Sequence, residues 1–233
     1  MREIKTLELC IDTSSGAGVA VVVDGKTRGR AHSDDPRGHT ENLAVLIQQA
    51  TAAAGLDPTL ANNPWTRVNV GTGPAPFTGL RSGLVTAVTF AEVWGVPVYG
   101  VPSLEIIGRQ NLDLLPPGSE VVAAADARRQ EIYWAAYTAD GPDGVNVEQE
   151  PQVGAPTTLA AHLHQHPALV VGPGAPLVRK EIDVPVGALT VADPAVLSRL
   201  VNAALAANPD AALPVQPLYL RRPDIHGAAA ARQ

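Results

Sequence analysis

Val68-Asn69-Val70-Gly71-Thr72-Gly73-Pro74-Ala75-Pro76-Phe77-Thr78-Gly79-Leu80-Arg81-Ser82-Gly83 is the stretch from which the fold of this chain is read. A short apolar strand enters a turn whose Gly and Pro residues exclude regular structure, and an apolar helix follows. Thr78 stands where its hydroxyl would cap a helix opened by Gly79. Strand, glycine-rich turn and helix suggest a phosphate site, but the known motifs fail in detail. Leu80 and Arg81 follow Gly79 where a nucleoside-triphosphatase loop needs a lysine and a hydroxyl. Pro76 takes the position at which the dinucleotide fingerprint needs close packing and a free N–H. Arg81 is the one charged residue in the loop, and in the first helical turn it opposes the helix dipole. A carboxylate or an anion is expected beside it, so Arg81 is a candidate anion contact, although spacing alone favours a buried connector.

Along the helix, Gly83, Ala87 and Ala91 recur every four positions, with Leu80, Leu84 and Val88 beside them. Such a stripe is either a docking surface or a core face. Spacing alone favours the core.

Composition narrows the class. With 233 residues, 45% apolar and 17% charged, the chain is globular and large enough to bury a substantial core as one large domain or two small ones. A net charge of −6, with Lys5, Lys26 and Lys180 as the only lysines, leaves no basic stripe and excludes a protein that grips nucleic acid unaided. No apolar run approaches the roughly 20 residues of a membrane helix, and the first residues lead into a strand and not a signal sequence, so a cytoplasmic location is expected. Cys10, the single cysteine, lies in an apolar run and is expected to be a buried thiol in a reducing compartment.

Strands are expected over 7–11, 19–23 and 26–31, with Asp24-Gly25 as a hairpin turn, and then a helix over 40–54 carrying Leu43, Leu46, Ile47 and Ala50 at helical spacing. After the central strand and helix come a strand at 96–100 and a helix at 103–111. The second half repeats the plan: strands at 121–125, 131–137 and 145–151, a helix at 158–165, a strand at 168–171, the turn Gly172-Pro173-Gly174 and a last helix at 194–206. Asp12 and Asp126 end the first strand of each half. The repeat implies two similar α/β lobes facing a cleft. The N-terminal lobe is expected over 1–104, completed by about 194–225, and the C-terminal lobe over 105–193.

Weaker signals stand beside these. His162, His164 and His166 could suggest metal, but helical spacing would splay them, and a solvated surface is favoured. Asp12, Ser14 and Ser15 with a histidine could be imagined as a hydrolase triad, yet no serine has nucleophile-elbow spacing. Arg128 and Arg129 could contact phosphate or pair with Glu131 and other acids; pairing is favoured.

Ile11-Asp12-Thr13-Ser14, the loop from Gly73 to Arg81, Asp126-Ala127-Arg128-Arg129-Gln130-Glu131-Ile132-Tyr133 and Pro217-Leu218-Tyr219-Leu220-Arg221-Arg222-Pro223-Asp224 together resemble the TsaB, or YeaZ, family, the bacterial partner subunit in threonylcarbamoyladenosine synthesis on tRNA. The motifs occur in family order and cover nearly the whole chain; their combination is specific where each alone is weak. The resemblance implies an α/β fold of the actin-like, sugar-kinase-like (ASKHA) type, two duplicated lobes each with a mixed sheet and helices. In catalytic relatives of that fold the two Asp turns hold phosphates and metal, and a Gly pair of the second lobe holds adenosine. Asp12, Thr13, Ser14, Asp126, Gly172 and Gly174 take those places here and are read as a vestigial cleft. The related TsaD carries a histidine pair for its metal; the corresponding stretch here, Pro102-Ser103-Leu104-Glu105-Ile106, has no imidazole.

The resemblance thus implies a non-catalytic subunit with no metal or cofactor of its own. It would bind and activate TsaD, assisted by the ATPase TsaE, in modifying tRNAs that read codons starting with A, and touch tRNA only through the complex. It also reverses the preference stated for the helix stripe. Leu43, Leu46, Ile47 and Ala50 of the first helix and Leu80, Gly83, Leu84, Ala87 and Ala91 of the second become the expected partner face. ATP or ADP at that interface, and a homodimer through the same helices, are further expectations. The loop departs from the family at Ala75-Pro76, where the family has Gly-Ser, and Pro76 stiffens it and removes a donor. The alternative is an independent small-molecule kinase or ATPase of the same fold that uses Asp12 and Asp126.

Overall fold

The computed structural model describes residues 4–33, 39–75 and 77–221. β1 (Leu7–Asp12) and β2 (Ala17–Val23) are buried almost throughout, and successive side chains point to opposite faces, so each strand sends apolar residues to both faces of its sheet. Leu7, Leu9, Ile11, Val19 and Val21 point to one core, Cys10, Ala20 and Val22 to another. Asp24 and Gly25, with φ of 49° and 71°, make the turn into β3 (Lys26–Ser33). That is the twist-matched hairpin geometry. β1 then pairs in parallel with β4 (Arg67–Gly71), and β4 with β5 (Val98–Val101), giving a five-stranded sheet in the order β3-β2-β1-β4-β5. The crossover helices α1 (His39–Ala53) and α2 (Phe77–Trp94) cover one face of it.

The second sheet repeats this order one strand short. β6 (Glu120–Arg128), β7 (Glu131–Asp140) and β8 (Gly144–Gly154) form an antiparallel meander, β9 (Leu169–Val171) pairs in parallel with β6, and the order is β8-β7-β6-β9. The outer face is covered by α4 (Leu159–Gln165) and α5 (Ala175–Glu181). Between the sheets lie α3 (Ser103–Leu112) and α6 (Val196–Ala207), whose Leu104, Ile107, Leu197 and Val201 join Cys10 and Val22 of the first sheet to Ala123, Tyr133 and Ala135 of the second. The stacking is therefore helix, sheet, helix, sheet, helix. Each fully buried aliphatic side chain in these layers contributes about 1.5–3 kcal/mol.

Some expectations change. The helix α5 was not expected; its Pro176 sits in the first turn, where a missing N–H costs nothing. It closes the second repeat, so the helix expected at 194–206 belongs to the central layer instead. Thr78 does not cap α2, because the helix already begins at Phe77. The strand β6 runs beyond Asp126, and the turn is made by Arg128, Arg129 and Gln130 at φ of 65°, 54° and 62°. The expected effect of Pro76, and Arg222-Pro223-Asp224 of the closing motif, lie outside the described residues. Cys10 is fully buried, and burial pushes its thiol up to about 12, which leaves it inert at neutral pH.

Candidate functional site

The quoted motifs, far apart in sequence, converge where the two sheets meet. Asp12 ends β1 with 3% of its surface exposed. Its Oδ1 accepts the Ser14 N–H at 3.0 Å and the Ser14 hydroxyl at 2.6 Å, and its Oδ2 accepts the Ser103 hydroxyl at 2.6 Å. Burial pushes the Asp12 carboxyl above its ordinary range, against these hydrogen bonds. Gly71 admits this arrangement, since a Cβ there would stand 1.8 Å from Asp12 Oδ2. Thr13 donates its hydroxyl to the Gly79 carbonyl at 2.9 Å, joining the first motif to the second.

The closing segment completes the junction. Leu218 donates its N–H to the Thr72 carbonyl at 2.8 Å, and Arg81 donates Nε–H to the Tyr219 hydroxyl at 2.8 Å with its guanidinium 5.7 Å from the ring centre. Arg221 donates to the Ala127 carbonyl at 3.1 Å and forms an ion pair with Glu131. The tail thus bonds to both sheets' loops. Asp126 accepts the Arg128 N–H at 2.7 Å and pairs with its guanidinium at 3.5 Å. Gly172, at φ of 94°, and Gly174 press against β6: a Cβ would lie 2.5 Å from the Ala124 oxygen at the first and 2.8 Å from the Ala124 carbon at the second.

The Asp12 carboxyl accepts three hydrogen bonds within the chain, two at Oδ1 and one at Oδ2. Among the described residues there is no group of three or more His, Cys, Asp or Glu side chains that could hold a metal ion. His162 and His166 are not splayed: their rings stack at 5.0 Å, and His162 Nε2 lies 2.8 Å from Glu120 Oε1. His162 is only 12% exposed, so the solvated-surface expectation is corrected for that residue.

The residues expected at the partner face lie inward in this structure. Leu43, Leu46, Ile47, Ala50, Leu80, Leu84, Ala87 and Ala91 are all in the core that α1 and α2 share with the first sheet. Gly83 faces inward too, where a Cβ would meet Thr13 Oγ1 at 2.3 Å. The small residues let α2 lie close on its own sheet, which is the core reading that spacing favoured. Outside it, α2 carries Val85 at 65%, Val88 at 39% and Val93 at 73% exposure. A groove of about 370 Å³ lies there, walled by Val85 and Val88 on one side and Val215, Pro217 and Tyr219 on the other. Sequence reasoning missed Val85 and Tyr219, although the solvent arc opposite the small stripe would have found the first.

Two lobes of matching strand order around a shared junction define a protein of the actin-like, sugar-kinase-like fold, as does the likeness to YeaZ from Pseudomonas aeruginosa, with a TM-score of 0.76 over 92% of this chain and 100% of that one at 23% identity. The family described as "TsaD: tRNA N6-adenosine threonylcarbamoyltransferase" matches residues 33–159. An uncharacterized protein of Mycobacterium tuberculosis is 38% identical over 219 residues, spanning 93% of this chain and 92% of that protein. The "tRNA threonylcarbamoyladenosine biosynthesis protein TsaB" of Escherichia coli is 34% identical over 134 residues, 57% of this chain and 55% of that protein. The chain belongs to the TsaB (YeaZ) family. Among the described residues no helix is long and apolar enough to cross a membrane.

Proposed function

We propose that this chain is a non-catalytic subunit in tRNA threonylcarbamoyladenosine biosynthesis that binds and activates a TsaD-type threonylcarbamoyltransferase. The likeness to the E. coli tRNA threonylcarbamoyladenosine biosynthesis protein TsaB supports the pathway. The observation that carries the subunit reading is the outward face of α2, where the exposed Val85 and Val88 line an apolar groove and Val93 stands exposed further along the helix. Apolar surface gathered in this way favours association. The non-catalytic reading is supported by Asp12, whose buried carboxyl accepts three hydrogen bonds from Ser14 and Ser103, the same Ser103 that holds the loop after β4 through the Gly73 N–H. That bonding also weighs against the independent kinase or ATPase. TsaE, a nucleotide at the partner interface and a homodimer through the same α2 surface complete the proposal.

Co-expression with the TsaD-type enzyme of the same cell tests it. Co-elution on size exclusion, and threonylcarbamoyladenosine in tRNA digests only when both chains are present, are expected. Independent elution at micromolar concentration, or magnesium-dependent nucleotide turnover by this chain alone that Asp12→Ala removes, would overturn it.

A further inference from the structure

Beside the closing segment lies a cavity of about 440 Å³ that the assembly reading leaves unused. Gly100 and Glu105 wall one side, Leu200 and Ala204 of α6 a second, and Leu213 and Pro217 of the tail a third. Backbone bonds hold the walls together: Gly100 donates its N–H to the Leu213 carbonyl at 3.0 Å, and Leu218 to the Thr72 carbonyl at 2.8 Å. Glu105 is the one ionisable side chain among the lining residues. No hydrogen bond or ion pair among the described residues stabilises its carboxylate. The remainder of the lining is apolar apart from Thr72, Gln216 and backbone.

We infer that this cavity binds a small organic cation, a protonated amine or guanidinium carried on an apolar body, with Glu105 as its counter-charge. The half-buried Glu105 carboxyl is partly withdrawn from water and left without a partner, which is costly, and a cation brought to it removes that cost while the body displaces water from the apolar walls. The volume is that of a small-molecule site. Burial, with Glu150 of β8 adding repulsion, raises the Glu105 carboxyl to about 7, so near neutrality a cation draws it into the ionised form. The inference is independent of the assembly reading.

Titration of the full chain with n-butylammonium, n-butylguanidinium and neutral n-butanol, followed by amide NMR, tests it. Saturable shifts at the Gly100 and Leu213 amides are expected for both cations, with n-butanol at least about tenfold weaker. Glu105→Gln weakens the cations about tenfold and leaves n-butanol unchanged. Ala204→Phe, which fills the cavity without touching the charge, abolishes binding of all three probes. Affinity for n-butylammonium rises from pH 6 to pH 8 as Glu105 ionises, with Tyr137 and Glu150 as the other titratable groups that act on it. Equal affinity for amine and alcohol, undiminished cation binding by Glu105→Gln, or no saturable shift with either cation overturns the inference.

Discussion

Ser103 donates its hydroxyl to Asp12 Oδ2 at 2.6 Å while its own oxygen accepts the Gly73 N–H at 3.0 Å. One serine at the head of α3 therefore fixes the carboxyl that ends β1 and the loop that leaves β4. The Asp12 carboxyl is thereby held between the turn after β1 and the head of α3.

Ser103→Ala consequently acts on stability. It removes a donor from a buried carboxyl and an acceptor from the Gly73 N–H. Unfolding in urea is expected to show a loss of about 1–3 kcal/mol, with co-elution with the TsaD-type partner retained below the new midpoint. An unchanged midpoint would mean that Asp12 is not held in this way.

The two sides of α2 should respond oppositely to charge. Val85→Arg and Val88→Arg place a guanidinium in solvent and should change stability by no more than about 0.5 kcal/mol while abolishing partner co-elution. Ala87 has no exposed surface, so Ala87→Arg forces a charge into the core and should cost more than about 3 kcal/mol. Co-elution that survives both valine changes would move the partner face elsewhere.

That contrast also shows what the sequence could convey. The apolar runs of β1 and β6, the Asp24-Gly25 turn and the small-residue period of α2 are local signals, and each is realised. The direction of the α2 stripe was equally legible, since a face of Gly and Ala between leucines is where a helix lies flat on its own sheet; family analogy turned it outward. The short α5 lacks the length for a periodic signal and was hidden behind Gly172-Pro173-Gly174. The bonds that gather the motifs, Ser103 to Asp12, Leu218 to Thr72 and Arg221 to Glu131, join residues far apart in sequence and leave no local pattern to read.

Arg221 anchors the tail to the second sheet through the Ala127 carbonyl and Glu131. Arg221→Ala should loosen the tail from that end. The Leu218 amide, protected by its bond to Thr72, is then expected to exchange with deuterium about tenfold faster, while amides of β1 keep their global protection. Equal exchange at Leu218 in both proteins would show that the tail is held without Arg221.

Glu105 should make stability fall as pH rises. Its carboxyl moves from an ordinary value of 4.5 to about 7 on folding, because burial and then Glu150 disfavour the charge. Between those values the folded state binds more protons than the unfolded one, so unfolding free energy declines with pH across that window. Glu105 is expected to contribute a loss on the order of 2–3 kcal/mol between pH 5 and pH 8, added to a decline of the same sign from Asp12, and Glu105→Gln, which cannot ionise, to remove the Glu105 share of that slope. A wild-type slope that Glu105→Gln leaves intact would assign the proton uptake to another group.

Glu8 and Arg67 provide a second buried pairing, on the face of the first sheet that meets α6. Arg67 Nη2 lies 2.8 Å from Glu8 Oε2, with 13% and 1% of the side chains exposed, and it also donates to Asn202 Oδ1 at 2.6 Å. Asn69 Nδ2 donates to the same Glu8 oxygen at 2.9 Å. Desolvation of both ions offsets much of their attraction, so the pair gives little net stability, yet either ion alone is costly. Arg67→Met should therefore cost about 3–5 kcal/mol, and adding Glu8→Leu should recover most of it, since the orphaned carboxylate is removed and apolar contact replaces the pair. Unfolding midpoints of the two single variants and the double variant close the cycle. A double variant as unstable as the sum of the singles would mean that the two residues act separately, Arg67 by tying the sheet to α6 through Asn202 and Glu8 through Asn69.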